Sequence, residues 1–256
     1  MTLSADALTK RFPDGTLAVD GVSFQVAAGE CLAIIGESGC GKTTTLKMLN
    51  RLVEPTGGSI AFAGEEVTTL KPEALRRRIG WVMQGDGLFP HMTVAENIAV
   101  TPRLLNWDKA RIDTRVDALI EQVRLSVSDH RTRYPAQLSG GQRQRVAIAR
   151  ALSVEPELLL LDEAFGALDP LTRGALQDDF TRLRKELGFA AVMVTHDMAE
   201  ALLIADRILV MKAGRMVRTG TPEELLRDPG DAYVEDLLAM PRQQARAIER
   251  LEAGHA

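Results

Sequence analysis

The segment Cys31-Leu32-Ala33-Ile34-Ile35-Gly36-Glu37-Ser38-Gly39-Cys40-Gly41-Lys42-Thr43 decides the fold. The apolar run 31–35 has the length of a strand buried on both faces, and it leads straight into the pattern G-x-x-x-x-G-K-[ST]. Residues 44–52 then read as a helix. Strand, glycine-rich turn and helix in that order make a phosphate-binding loop. The glycines let backbone N–H groups turn inward, and the helix N-terminus adds its positive dipole end. Lys42 reaches β and γ oxygens, and Thr43 offers a hydroxyl to Mg²⁺. Gly36, Glu37, Ser38, Gly39, Cys40, Gly41, Lys42, Thr43 and Thr44 are therefore candidate ligands of a nucleotide. The pattern arises by chance in roughly 1% of chains this long. An ordinary glycine turn would account for neither the lysine nor the helix that follows. Cys40 is read as incidental, since no motif requires a thiol there.

Outward from this loop, short apolar runs ending in glycine or acid alternate with longer helical patterns. That rhythm predicts an α/β fold around a mostly parallel, buried sheet. The runs 158–161 and 190–194 are further candidate strands. Near the N-terminus, Val19-Asp20-Gly21-Val22-Ser23-Phe24-Gln25-Val26 alternates apolar and polar residues, as does Ser59-Ile60-Ala61-Phe62-Ala63. Both predict half-exposed antiparallel strands, with turns at Pro13-Asp14-Gly15 and Ala63-Gly64-Glu65. Residues 93–100, 108–123 and 141–152 carry helical periodicity instead. Val116, Leu119, Ile120 and Val123 fall at i, i+3, i+4 and i+7. The expected organisation is one domain over residues 1–240, with a core of about 1–86 and 153–240 and an inserted helical subdomain at about 87–152. Residues 241–256 are expected to form a short, charged helical tail.

The chain has 256 residues, a formal net charge of −4 and 26% charged residues, which excludes disordered and fibrous classes. No global excess of Lys and Arg points to a nucleic-acid partner. The two cysteines, Cys31 and Cys40, are too few for a disulfide scaffold and suggest a reducing compartment. The N-terminus lacks the basic and apolar regions of a signal peptide. No apolar run approaches the roughly 20 residues a spanning helix needs. A cytoplasmic protein is expected, with any membrane role coming through a partner.

Leu158-Leu159-Leu160-Leu161-Asp162-Glu163 reads as a buried strand ending in two adjacent acids. Side chains alternate along a strand, so the two acids are expected to do different jobs. Asp162 would hold Mg²⁺, and Glu163 would accept a proton from attacking water.

Leu138-Ser139-Gly140-Gly141-Gln142 places two more glycines ahead of a helix, although the first loop already supplies a phosphate cradle. A helix cap with a glycine turn accounts for Ser139 but not for the whole string. The pentapeptide, and its position relative to the other two motifs, resembles the signature of ATP-binding cassette (ABC) ATPases. The resemblance covers nearly the whole chain. It implies a P-loop NTPase fold with a RecA-like core, an N-terminal antiparallel β subdomain and the inserted helices. It also implies that Ser139, Gly140, Gly141 and Gln142 close over ATP held by a second copy. By the same resemblance Gln84, after Ile79-Gly80-Trp81-Val82-Met83, matches the Q-loop glutamine, a ligand of Mg²⁺ together with Thr43 and Asp162. His196 in Val192-Met193-Val194-Thr195-His196-Asp197 matches the switch histidine. The other histidines, His91, His130 and His255, stand at no such strand end. Asp169 in Ala167-Leu168-Asp169 matches the D-loop, and Phe12 sits where the family places an aromatic that stacks on adenine. The catalytic set implied is Glu163, His196, Gln84 and Lys42.

Within the family, Arg11-Phe12-Pro13-Asp14-Gly15, the run Lys42-Thr43-Thr44-Thr45-Leu46-Lys47-Met48-Leu49-Asn50-Arg51, Gly87-Leu88-Phe89-Pro90-His91-Met92-Thr93 and Phe165-Gly166-Ala167-Leu168-Asp169-Pro170-Leu171-Thr172-Arg173 look like the ATP-binding subunits of osmoprotectant importers. The implied role is to drive uptake of glycine betaine, carnitine or choline. The implied partners are a second copy, transmembrane permease subunits that hold the chain at the cytoplasmic face of the membrane and, indirectly, a substrate-binding protein. Residues 85–94, with Phe89 and Met92 expected at the surface, would receive the permease. Two departures stand out. Ala164 occupies a position where most relatives carry proline, and alanine can adopt the same φ, so hydrolysis is expected to survive. The chain also ends soon after Pro241, so the regulatory module of several relatives is not expected. The alternatives are an importer of another small solute, such as an amino acid or polyamine, and a non-transport ABC ATPase acting on nucleic acid. The second lacks its usual paired cassettes, coiled coil or zinc module. A kinase-like phosphotransferase leaves residues 138–142 unexplained.

Overall fold

The computed structural model describes residues 2–166 and 168–253. Ala167 and His255 lie outside them. Two sheets organise these residues. The first is antiparallel and contains β1 (Leu3–Arg11), β2 (Leu17–Val26), β4 (Gly57–Phe62) and β5 (Glu65–Glu66), in the order β2-β1-β4-β5. The second contains β3 (Cys31–Ile35), β6 (Ile79–Val82), β7 (Leu158–Asp162), β8 (Ala190–Thr195), β9 (Arg207–Lys212) and β10 (Arg215–Gly220). Its order is β10-β9-β3-β8-β7-β6, parallel except for the terminal β9–β10 hairpin. This is the α/β architecture that the alternating rhythm of the sequence predicts, with the expected antiparallel strands at 17–26 and 57–62.

The parallel strands are apolar throughout because both faces of their sheet are covered. Cys31, Ala33, Ile35, Leu159, Leu161, Ala191 and Met193 pack into the core on the helical side. The intervening Leu32, Ile34, Leu158, Leu160, Val192 and Val194 pack against β1, β2, β4 and the helix α1 (Lys42–Leu49). One period-2 strand pattern thus feeds two cores.

β1 is an element that the sequence reading omitted, although it lies centrally in the antiparallel sheet. Its buried residues Leu3, Ala5 and Leu8 break the alternation, because the register slips between Ala5 and Leu8 where Ala7 takes a left-handed φ of 46°. A bulge hides a strand from a two-residue period.

After β4 and β5, α2 (Pro72–Arg78) leads into β6. Between β6 and β7 the regular elements among the described residues are helices: α3 (Val94–Leu104), α4 (Lys109–Gln122), α5 (Val127–His130) and α6 (Gly140–Ala151), besides one short 3₁₀ turn at Pro135–Gln137. Their starts follow capping chemistry. Thr93 and Glu96 form a capping box, Asp108 accepts from Arg111 N, and Ser139 and Gln142 form a second box. Val116, Leu119, Ile120 and Val123 are all buried, as their spacing predicts.

The C-terminal half continues with α7 (Pro170–Leu187), α8 (Met198–Ile204), α9 (Pro222–Arg227) and α10 (Ala232–Ala253). The division drawn at residue 240 falls inside α10, which runs through Pro241 without interruption. A proline inside a helix costs about 3 kcal/mol. Val234 and Leu238, both fully buried, offset it at roughly 1.5–3 kcal/mol each. The separate tail expected after Pro241 is the exposed half of this helix. No helix among the described residues is long and apolar enough to cross a membrane.

Candidate functional site

The parallel strands deliver the candidate residues to one edge. In register, Ile35 pairs with Thr195, Asp162 with Val194, and Val82 with Leu161. The carboxyl ends of β3, β8, β7 and β6 are therefore level, which is where open α/β sheets bind ligands. From them emerge the phosphate loop, His196, Glu163 and Gln84.

The loop begins at Gly36 and turns into α1 at Gly41, which caps the helix with a φ of 102°. A Cβ at Gly41 would overlap the Ala18 carbonyl oxygen, and one at Gly36 would overlap that of Met211. Glycine is required at both for close backbone approach as well as for conformation. Lys42 is 6% exposed, and its ammonium donates to Gly36 O at 2.7 Å and Glu37 O at 2.8 Å. Ala18, Ser38, Gly39, Gly41, Lys42, Thr43, Thr44 and Glu163 line the cleft above the loop. Cys40 points inward, buried, and burial pushes its thiol pKa up while the Lys42 charge opposes. A protonated, buried thiol agrees with its reading as incidental.

Thr43 Oγ1 donates to Asp162 Oδ1 at 3.1 Å. Burial raises the pKa of Asp162 against the opposing hydrogen bond from Thr43 and the charges of Lys47 and Lys42. A desolvated carboxylate beside a hydroxyl suits a hard divalent cation with oxygen ligands, so Thr43 and Asp162 fit Mg²⁺.

Glu163 lies just past the end of β7 and takes a left-handed φ of 48°. Its divergence from Asp162 therefore comes from a backbone turn rather than from strand alternation. Its N–H donates to Val194 O at 3.0 Å, which anchors the turn to β8. Gln84 Nε2 donates to Glu163 Oε2 at 2.9 Å, and His196 Nδ1 lies 3.6 Å from Oε1. Gln84 and His196 thus converge on the Glu163 carboxylate, which stays 26% exposed and open to water.

Ser139 to Gln142 stand elsewhere and line no part of this cleft. Ser139 Oγ accepts from Gln142 N, and Gln142 Oε1 accepts from Ser139 N, while its Nε2 donates to His130 Nε2 at 3.2 Å. Ser139 and Gly140 are exposed at the head of α6, whose first N–H groups lack intrahelical acceptors. Asp169 caps α7 by accepting from Thr172 N, and the hydrogen bonds from Thr172 hold its carboxyl below the usual range. Phe12 is not brought into the cleft lining. It sits half-buried in the β1–β2 turn with the Lys10 ammonium 5.2 Å from its ring centroid.

Several contributors carried no motif. Ala18 and Met211 shape the loop through backbone carbonyls, which no side-chain pattern reveals. Arg143 pairs with Asp86 at 2.6 Å, and Arg150 donates to Gly87 O at 2.8 Å, which ties α6 to the segment after Gln84. Asn97, fully buried, donates to the carbonyls of Phe89, Met92 and Thr93 and accepts from Phe89 N. That staple presents Phe89, 40% exposed, while Met92 is half-buried rather than at the surface as expected.

Behind His196, Glu200 is 5% exposed and accepts from Gln177 Nε2 at 3.0 Å. Burial raises its pKa, helped by the nearby Asp197 charge and opposed by hydrogen bonds from Thr195 and Gln177 and by Arg173. A carboxyl whose folded pKa exceeds its unfolded one supplies stability that is full below the ordinary glutamate range and lost as pH rises through the folded value. Glu200→Gln should therefore raise Tm at pH 7.5, by about 2–4 °C per kcal/mol recovered, and the gain should shrink toward pH 4.5. Thermal melts at the two pH values check this, and a variant less stable at pH 7.5 would contradict it.

The ABC transporter family profile matches residues 19–166. The chain is 46% identical over 252 residues to the glycine betaine/carnitine/choline transport ATP-binding protein OpuCA of Bacillus subtilis, covering 98% of this chain and 66% of that protein. It is 51% identical over 231 residues to the glycine betaine uptake system ATP-binding protein YehX of Escherichia coli, covering 90% of this chain and 75% of that one. The solved dimeric structure of the ATP-binding cassette MJ0796 bound to ADP and Pi superposes with a TM-score of 0.76 at 31% identity, over 86% of this chain and 98% of that one. The chain spans 60–66% of the length of the first curated relatives it matches.

Proposed function

The chain belongs to the ABC transporter ATP-binding family, and from that premise we propose that it is the ATP-hydrolysing subunit of an importer of quaternary-amine osmoprotectants. The observation that carries the activity is the convergence of Gln84, Glu163 and His196 beside the phosphate loop. The solute class rests on the relatives, which are named for glycine betaine, carnitine and choline transport.

In this reading the inward N–H groups of residues 39–43 and the Lys42 ammonium bind the β- and γ-phosphates, with Lys42 steadied by the Gly36 and Glu37 carbonyls. Thr43, Asp162 and Gln84 would hold Mg²⁺, which would supply charge neutralisation for the phosphoryl group. Glu163 accepts a proton from the attacking water at its exposed oxygen, and Gln84 Nε2 holds the opposite oxygen in place. His196 lies close enough to Glu163 to bear on the same phosphoryl group. Phe12, at the β1–β2 turn, is the candidate platform for adenine.

The signature serves a second copy. Ser139 and Gly140, exposed at the head of α6, with Gly141 buried against Thr172 behind them, would close over the nucleotide held by the partner, so ATP binding joins two chains and hydrolysis releases them. The dimeric form of the MJ0796 relative supports this arrangement. The stapled segment bearing Phe89 would receive permease helices at the cytoplasmic face. Arg143–Asp86 and the Arg150 contact would pass movement of α6 to it.

The complex of this chain with its permease and binding protein, reconstituted in vesicles, should accumulate labelled glycine betaine or choline with ATP on the side of this subunit. Uptake of spermidine or an amino acid instead would reassign the solute and leave the ATPase reading intact.

A further inference from the structure

Tyr233 lies in the first turn of α10, 7% exposed, and its hydroxyl accepts from the backbone N–H of Glu37 at 2.9 Å. Glu37 is the second residue of the phosphate loop, and its carbonyl accepts from the Lys42 ammonium at 2.8 Å. The backbone of one residue thus joins the last helix of the chain to the lysine that meets the phosphates. The ring is fixed from the other side, with the Lys212 ammonium 4.6 Å from its centroid.

The rest of the loop is held by backbone. Gly214 N donates to Cys40 O at 3.1 Å, and the carbonyls of Ala18 and Met211 press on Gly41 and Gly36. Among the described residues, Tyr233 meets the limb between Gly36 and Gly39 at the Glu37 N–H, beside the loop's own contacts from Cys40 N and the Lys42 ammonium to the Glu37 carbonyl. Val234 and Leu238 root that end of α10 in the core, and most residues beyond 240 are exposed.

We propose that Tyr233 is a positioning residue for nucleotide binding, whose hydroxyl fixes the Glu37 backbone and keeps Lys42 and the loop in phosphate-ready form. α10 thereby becomes an element that sets nucleotide affinity. This rests on the phosphate-loop reading of residues 36–43. A loop ordered before its ligand arrives binds more tightly than one ordered on binding. A hydrogen bond lost from a partly buried N–H lowers affinity while leaving Gln84, Glu163 and His196 and their mutual contacts in place.

Tyr233→Phe is the discriminating variant, because it keeps the ring, its packing and the Lys212 contact and removes one oxygen. The Kd for a fluorescent non-hydrolysable ATP analogue should rise about five- to tenfold, equivalent to one lost hydrogen bond. The KM for ATP should rise in step, with kcat at saturating ATP within about twofold of the parent. A general loss of folding would lower kcat or the active fraction instead and would not give that split. Tyr233→Leu, which also removes the ring, should show at least the same rise in Kd. Unchanged Kd and KM in folded Tyr233→Phe overturns the proposal. Failure of the parent chain to bind the analogue overturns the phosphate-loop reading itself, and the proposal with it.

Discussion

Replacing Glu163 with Gln should lower ATP turnover by about 10²–10⁴-fold, the range expected for loss of a general base, while ATP binding stays within about twofold of the parent. The substitution preserves shape at a position with little freedom. Glu163 takes a φ of 48°, and its N–H is bound to Val194 O. The side chain has Gln84 Nε2 at 2.9 Å and His196 Nδ1 at 3.6 Å. Glutamine offers an amide oxygen to Gln84 and so keeps that contact, but it has no basic site for the proton of water. The phosphate loop is untouched, since Lys42 and Thr43 meet nucleotide from another strand end. The variant should therefore accumulate as an ATP-bound dimer, visible as a shift in size-exclusion elution that requires ATP. Steady-state phosphate release and equilibrium binding check the two halves separately. Turnover within tenfold of the parent would remove Glu163 from its assigned role and leave the base to be sought at His196.

The contrast between what the residues announced and what they hid has a physical cause. The strand 31–35 and the leucine run 158–161 were legible because a sheet covered on both faces demands uninterrupted apolar residues, and the phosphate loop because its glycines are dictated by close backbone approach. The inserted helices were legible from their periodicity, and the structure adds that Thr93 with Glu96 and Ser139 with Gln142 close their starts as local pairs within one turn. β1 was not, because the bulge at Ala7 shifts its alternation halfway along. The extent of α10 was not, because Pro241 is a local stop signal overridden by the burial of Val234 and Leu238 upstream. Within the site, Gln84, Glu163 and His196 stand together at the loop as their motif positions suggest, Phe12 and residues 139–142 do not, and contributors without a motif were missed. The carbonyls of Ala18 and Met211 and the hydroxyl of Tyr233 reach the loop from strands and helices far away in sequence. Such contacts carry no periodicity and no spacing. Only the assembled fold brings them to the phosphate loop.

Two inactive variants should restore each other when mixed. Lys42→Ala removes the buried ammonium that donates to the loop carbonyls and would meet the β- and γ-phosphates. That chain loses its own nucleotide but keeps an intact signature. Gly140→Asp does the converse. Gly140 is exposed, and a Cβ there meets only Leu168 Cδ2 at 3.7 Å and Arg143 Nη2 at 3.9 Å, so the chain folds. An acidic residue in the first turn of α6 even favours the helix, but it sets a carboxylate against the γ-phosphate of the partner's nucleotide. Each variant alone should hydrolyse ATP near background. In an equimolar mixture half of the dimers are mixed. Each mixed dimer pairs the intact loop of the Gly140→Asp chain with the intact signature of the Lys42→Ala chain, giving one complete site of two. The mixture should then recover up to about a quarter of parental activity. Sites assembled within one chain predict the opposite, because no mixed dimer could contain a complete one. Activity equal to the mean of the separate variants would place the signature outside the partner's site. Recovery fixes it there without any measurement of transport, and so stands apart from the identity of the solute.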